Sequence, residues 1–234
     1  MVVNSQSVPL EERSITTSDS MDELKDLINI LNSRGPVTLV AGESAYLNRT
    51  FIPIITLSFI KKHRRSKVIY FHCEGSTPRN LRFLKDFKNK VYLFRIGNLD
   101  EQYHIVNLLP MLLTAEYYRK YMILIVFDDF VSHYLVAPAS MHKTAGGSLL
   151  AEQLAILRML SHKVAGHMIL TSYLLSDKRP LLWKIFSKYV DTLVTIREND
   201  GLVEVNVLNE DLAIIESYNI ELDELVEKLE FKDS

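Results

Sequence analysis

Apolar and β-branched residues gather into short, almost unbroken runs along the chain: Val37–Ala41, Lys67–His72, Val91–Ile96, Met122–Phe127 and His167–Ser172. A strand with one wet face alternates, whereas a run that is apolar at nearly every position suits a strand covered on both faces of a parallel sheet. Between the runs, apolar positions recur at helical spacing, which predicts crossover helices and an α/β fold. Ser20 with Glu23 forms a capping-box pattern ahead of Met21, Leu24, Leu27, Ile28 and Leu31, and Gly35-Pro36 stops that helix. A helix from about Asn98 to Lys120 is expected to kink or break at Pro110, and another spans Ser148 to Lys163. Tyr189–Arg197 and Leu202–Leu208 flank Glu198-Asn199-Asp200-Gly201, whose Asp-Gly pair predicts a hairpin turn and so an antiparallel extension of the sheet. Leu222, Leu225, Val226 and Leu229 then mark an acidic amphipathic helix.

Glycines punctuate this pattern. Gly42, Gly75 and Gly97 each follow a proposed strand, so the C-terminal edges of the strands form the turn-rich rim on which α/β sheets place ligands. With 234 residues, 47% of them hydrophobic, the chain buries a full core unaided. One cysteine, Cys73, precludes an internal disulfide framework and points to a reducing compartment, cytoplasmic or nuclear. The least polar long stretch, Gln102 to Ala115, falls short of the roughly 20 residues that span a bilayer. The start of the chain, with Glu11 and Glu12, lacks the apolar segment of a signal peptide. One domain over residues 16–234 is expected after a mobile N-terminus of residues 1–15, with no membrane association.

The net charge of −2 hides a strong polarity. Residues 1–197 carry +8 and residues 198–234 carry −10, and within the first part residues 49–95 alone carry +10. An anionic partner, or the chain's own tail, is the natural complement. The run Lys61-Lys62-His63-Arg64-Arg65 ends the helix after the first strand, where cations also suit the helix dipole.

Four segments in order resemble the RecA-type ATPase core, specifically the RadA branch of strand-exchange recombinases and its paralogues. They are "SITTSDSMDELKDLI" (14–28), "KVIYFHCEGSTPRNLRFL", "YMILIVFDDFVSHYL" and "GGSLLAEQLAILRMLSHKVAGHMILTSYL". The resemblance implies a RecA-like P-loop core with a mostly parallel central sheet and a C-terminal antiparallel hairpin. It puts Glu74 in the water-activating position and Asp128 on the magnesium side. It puts the first DNA-binding loop at Ser132–Gly147, with His142 and Lys143, and the second after Tyr173. There Lys178, Arg179, Lys184 and Lys188 are candidates for phosphate contact and Trp183 for base stacking, or else for the apolar face of a short helix with Leu182, Ile185 and Phe186.

The departures decide what is left of the activity. Where the family has G-x-x-x-x-G-K-[ST], this chain has "GESAYLNRT": Gly42 opens the motif, Leu47 replaces the second glycine and Asn48 the lysine. Converging backbone N–H groups and the lysine charge are what hold a triphosphate, so the cradle is lost and Glu74 and Asp128 become vestiges. Tyr173 stands where the family's γ-phosphate-sensing glutamine would be. No cofactor is expected. ATP with Mg²⁺ would bind only if Arg49 and Thr50 served in a rebuilt loop, and His72, Cys73 and His133 lack the paired spacing of a metal site. The resemblance therefore implies a non-catalytic paralogue that assists homologous recombination by binding a RadA-type recombinase or another paralogue, and single-stranded DNA. The alternative is a KaiC-like pseudo-ATPase serving as a structural subunit of an archaeal motor or signalling assembly.

Overall fold

The fold is taken from a computed structural model, which describes residues 26–27, 29–31, 33–73, 81, 84, 87, 89–113, 118–136, 146–199 and 201–221. The predicted apolar runs form parallel strands: β1 (Val37–Gly42), β2 (Ser66–Cys73), β3 (Val91–Ile96), β4 (Met122–Asp128) and β5 (Gly166–Tyr173). β6 (Thr192–Asn199) lies parallel to β1, and β7 (Leu202–Leu208) and β8 (Ile214–Glu221) follow antiparallel. The spatial order is β3-β2-β4-β5-β1-β6-β7-β8.

Helices cover both faces. α1 (Ala45–Lys62) joins β1 to β2, α2 (Leu99–Leu113) and a 3₁₀ turn at Tyr118–Lys120 join β3 to β4, and α3 (Ser132–Val136) and α4 (Gly146–Ser161) lie between β4 and β5. A single turn, α5 (Trp183–Phe186), precedes β6. The two layers have separate cores. Val40, Val68, Leu124, Val126, Ile169 and Val194 point toward α1, the helical Leu27 and Leu31, and the hairpin. Val37, Leu39, Ile69, Ile123, Ile125, Met168 and Leu170 point toward α2 and α4. Side chains that alternate in direction but not in polarity are the reason the strands read as continuous apolar runs.

Small sequence details fix the strand ends. A Cβ on Gly166 would stand 1.8 Å from the Ile123 carbonyl oxygen of β4, so only glycine lets β5 begin beside β4. Asp191 starts β6 by accepting the Val37 N–H at 2.9 Å and pairing with Arg158 of α4. The first strand of the hairpin therefore begins at Thr192 and not at Tyr189, because Asp191 turns the chain there.

Two other expectations shift. Pro110 lies inside α2, which runs on to Leu113 without a break. Ser132–Gly147 is not irregular throughout: α3 occupies its beginning and α4 its end, with 137–145 outside the described residues. The expected capping box at Ser20, the N-terminal residues 1–15 and the acidic segment from Leu222 also lie outside them. Among the described residues no helix is long and apolar enough to cross a membrane.

Candidate functional site

The sheet places its chemistry at one point of the rim. β1 leads into α1 on one face, while the neighbouring β4 and β5 belong to connections packed on the other. A crevice outside the strand C-termini opens where connections diverge in this way. Gly42, Asp128 and Tyr173 end the three strands that border it, and Asp129 follows β4 directly.

The loop after β1 is closed from within. Ser44 is the N-cap of α1, in extended conformation, and its hydroxyl accepts the Leu47 N–H at 3.2 Å. The Glu43 N–H goes to the Ile196 carbonyl at 2.9 Å. The helix thus begins at Ala45, so Leu47 and Asn48 lie in its first turns and not in a glycine-rich loop. Asn48 is buried and donates its side-chain amide to the Ser172 carbonyl of β5 at 2.8 Å. A Cβ on Gly42 would meet its Oδ1 at 2.4 Å, so the Asn48 amide fills the space directly over the glycine. Thr50 is buried in α1 and gives its hydroxyl to the Tyr46 carbonyl at 3.0 Å, an intrahelical bond that turns it away from any ligand.

Two carboxylates stand next to this plug. Asp128 is 5% exposed and accepts the Tyr70 hydroxyl at 3.0 Å. Burial pushes its carboxyl up to about 6, partly opposed by the Tyr70 hydrogen bond, reinforced by the charge of Asp129 and opposed again by Arg49. Asp129 adopts φ of 68°, in the left-handed region that non-glycine residues seldom occupy. Its conformation is over-determined: the Cys73 thiol (3.3 Å) and the Ser132 hydroxyl (3.1 Å) donate to its carbonyl, and its N–H donates to the Thr171 hydroxyl. The Tyr173 hydroxyl donates to its carboxylate. Burial raises the Asp129 carboxyl as well, against the Tyr173 bond and the charge of Arg49. Behind the pair, Gln102 of α2 donates to the Phe130 carbonyl at 3.2 Å and to Gln153 of α4 at 3.1 Å, pinning the turn between two helices.

This constellation does not fit magnesium triphosphate. The loop N–H of Leu47 is taken by Ser44, the space over Gly42 holds Asn48, the hydroxyl of Thr50 faces its own helix, and each carboxylate is already bonded to a tyrosine. Arg49 is half-buried and electrostatically coupled to both carboxylates and both tyrosines. It serves this internal charge balance.

The remaining candidates fall in several places. Glu74, His142 and Lys143 are outside the described residues. The loop after β5 is a tight turn closed by the Leu174–Pro180 bridge, with Lys178 exposed at its tip at φ of 66°. Arg179 is exposed but its guanidinium forks onto Asp177, which removes much of its charge from this surface. Lys184 and Lys188 are exposed. Trp183, Leu182 and Ile185 pack against the core around buried Phe186, so Trp183 forms part of an apolar helix face. Cys73 is buried with its thiol pushed up to about 12 by desolvation, and is inert as a nucleophile. His133 is buried with Nε2 3.3 Å from the Ile96 carbonyl, and His72 is half-buried in β2.

The tyrosine partners of the acids escaped the sequence reading. Tyr70 and Asp128 lie 58 positions apart and Tyr173 and Asp129 lie 44 apart, and only strand register brings them together. The cap by Ser44 had a local signal, a serine directly ahead of a long apolar stretch. No protein-family model matches the chain, and no curated protein matches it.

Proposed function

We propose that the chain is a RecA-like core whose nucleotide pocket has become structural, and that it acts by docking as a paralogue supporting homologous recombination. The observation that carries this reading is the Asn48 amide, bonded to Ser172 across the crevice and seated over Gly42 where a phosphate would lie. An asparagine supplies neither the charge nor the open backbone that a triphosphate requires. The segment order "FHCEG", "VFDDF" and "AEQ", set on a mostly parallel sheet with a C-terminal hairpin, supports the family reading. With turnover gone, surfaces are what remain to do work: a RadA-type recombinase or another paralogue is the protein partner, and single-stranded DNA meets the turn after β5.

The test is affinity capture of the full chain from native lysate. Recombinase and DNA-repair proteins are the expected partners, whereas ring or motor components would replace this reading with that of a KaiC-like structural subunit. Single-strand binding is expected to weaken with salt and to fall several-fold further in Lys178→Gln/Lys184→Gln, because Arg179 is already paired. Binding indifferent to salt removes the DNA half of the proposal.

A further inference from the structure

The opposite edge of the sheet, where the parallel strands begin, carries a second charged surface that the docking function does not use. Each connection entering the β3–β5 half of the sheet brings exposed or half-exposed cations: Arg64 and Arg65 before β2, Lys90 before β3, Arg119 and Lys120 before β4, Lys163 before β5. These connections are held rigidly to one another. The Arg65 carbonyl accepts the Met122 N–H at 2.9 Å, the Lys90 carbonyl accepts the Val68 N–H at 2.7 Å, and the Ala165 carbonyl accepts the Ile123 N–H at 2.8 Å. The strands are adjacent in the order β3-β2-β4-β5, so the cations stand in a row about 14 Å long, three strand spacings.

Among the described residues no carboxylate pairs with any of these six side chains. Among the described residues the acids of this edge sit at its other end: Asp191 is taken by Val37 and Arg158, Glu216 pairs with Arg34, and Glu210 and Asp211 lie in the β7–β8 turn. Lys67 is not part of the row, since its ammonium turns inward to the Tyr92 hydroxyl at 3.2 Å and lies over the Tyr92 and Tyr121 rings. The dipole of α1 suits the run 61–65 and that of α4 suits Lys163, whose N–H goes to the Leu160 carbonyl at 2.8 Å, but neither accounts for Lys90, Arg119 or Lys120.

We infer that this edge binds the phosphate backbone of a nucleic-acid duplex, independently of sequence. A rigid line of one sign focuses its field outward and matches the regular charge of a backbone. Among the described residues the aromatic rings at this edge, Tyr118 and Tyr121, are half-buried, which favours a backbone contact over the stacking of splayed bases. The inference does not rest on the recombination reading. It stands or falls on the edge alone.

The test is anisotropy titration of the intact chain with a random-sequence 30-base-pair duplex at increasing salt. Neutralisation of about five phosphates gives a slope of about −4.5 in log affinity against log salt, and about a 500-fold loss between 50 and 200 mM. In Arg64→Gln/Arg65→Gln/Arg119→Gln/Lys120→Gln the slope is expected to fall to about −1, while Arg64→Lys/Arg65→Lys/Arg119→Lys keeps it, since charge is what counts. An unchanged slope in the glutamine variant, an equal fall in slope when Lys178 and Lys184 at the far rim are replaced by glutamine instead, or binding to anionic lipid vesicles without binding to duplex would each overturn the assignment.

Discussion

Asp128→Asn is expected to raise the stability of the folded chain at pH 7, by on the order of 2 kcal/mol. Asp128 is almost fully buried, and the folded protein holds its proton up to about pH 6, whereas an unfolded aspartate releases it near pH 4. Between those values the native state binds the extra proton, so rising pH favours unfolding, and the cost of the buried charge is complete above pH 6. Asn has the same shape, still accepts the Tyr70 hydroxyl through its carbonyl oxygen, and carries no charge to desolvate. Denaturant unfolding at pH 4, 5, 6 and 7 measures this. The wild-type chain should lose stability across that range, in the same sense from Asp129 as from Asp128, and the variant should lose much less. A variant less stable than wild type at pH 7 would mean that the carboxylate is held by a favourable ionic partner, as it would be in a working magnesium site.

The largest loss is expected from Gly42→Ala, and its size should depend on Asn48. The added Cβ would lie 2.4 Å from Asn48 Oδ1 and 2.8 Å from its Cγ, and Asn48 has no freedom to move because it is buried and bonded to Ser172. Overpacking of this kind costs about 3 kcal/mol. Asn48→Ala alone removes a buried hydrogen bond and leaves the Ser172 carbonyl without it, about 2 kcal/mol. In the double variant the clash is gone, and the closest remaining approach is the Ser44 carbonyl at 3.1 Å. The pair should therefore be non-additive by about 2 kcal/mol, read from denaturant midpoints of the four proteins. Additive losses would show that Asn48 does not fill the space over Gly42.

Much of the scaffold could be read from residue pattern because burial on both faces leaves a plain trace. The runs beginning at Val37, Lys67, Val91, Met122 and His167 match strands to within one or two residues, since strands covered by helices on both faces are apolar at most positions. β8 left no such trace. Its sequence, Ile-Ile-Glu-Ser-Tyr-Asn-Ile-Glu, belongs to an edge strand in which Ile214 is 59% exposed and Ile220 alone is fully buried, so hydropathy does not mark it. At the site, the departure of Leu47 and Asn48 from the RecA-type loop pattern was visible directly. What replaced them was not, because a cap by Ser44, a left-handed Asp129 and two tyrosine–carboxylate pairs are set by register between strands distant in sequence. The Asp177–Arg179 fork lay within three residues and was open to inspection, yet a count of cations alone passes over a neighbouring acid.

Calorimetric titration of the intact chain with ATP and Mg²⁺ bears most directly on the closed crevice. With Asn48 seated over Gly42 and the Leu47 N–H held by Ser44, no saturable binding is expected, and the dissociation constant should be weaker than about 1 mM. Micromolar binding that disappears in Arg49→Ala would contradict the account, because it would mean that the loop after β1 opens around a triphosphate with Arg49 as a phosphate ligand.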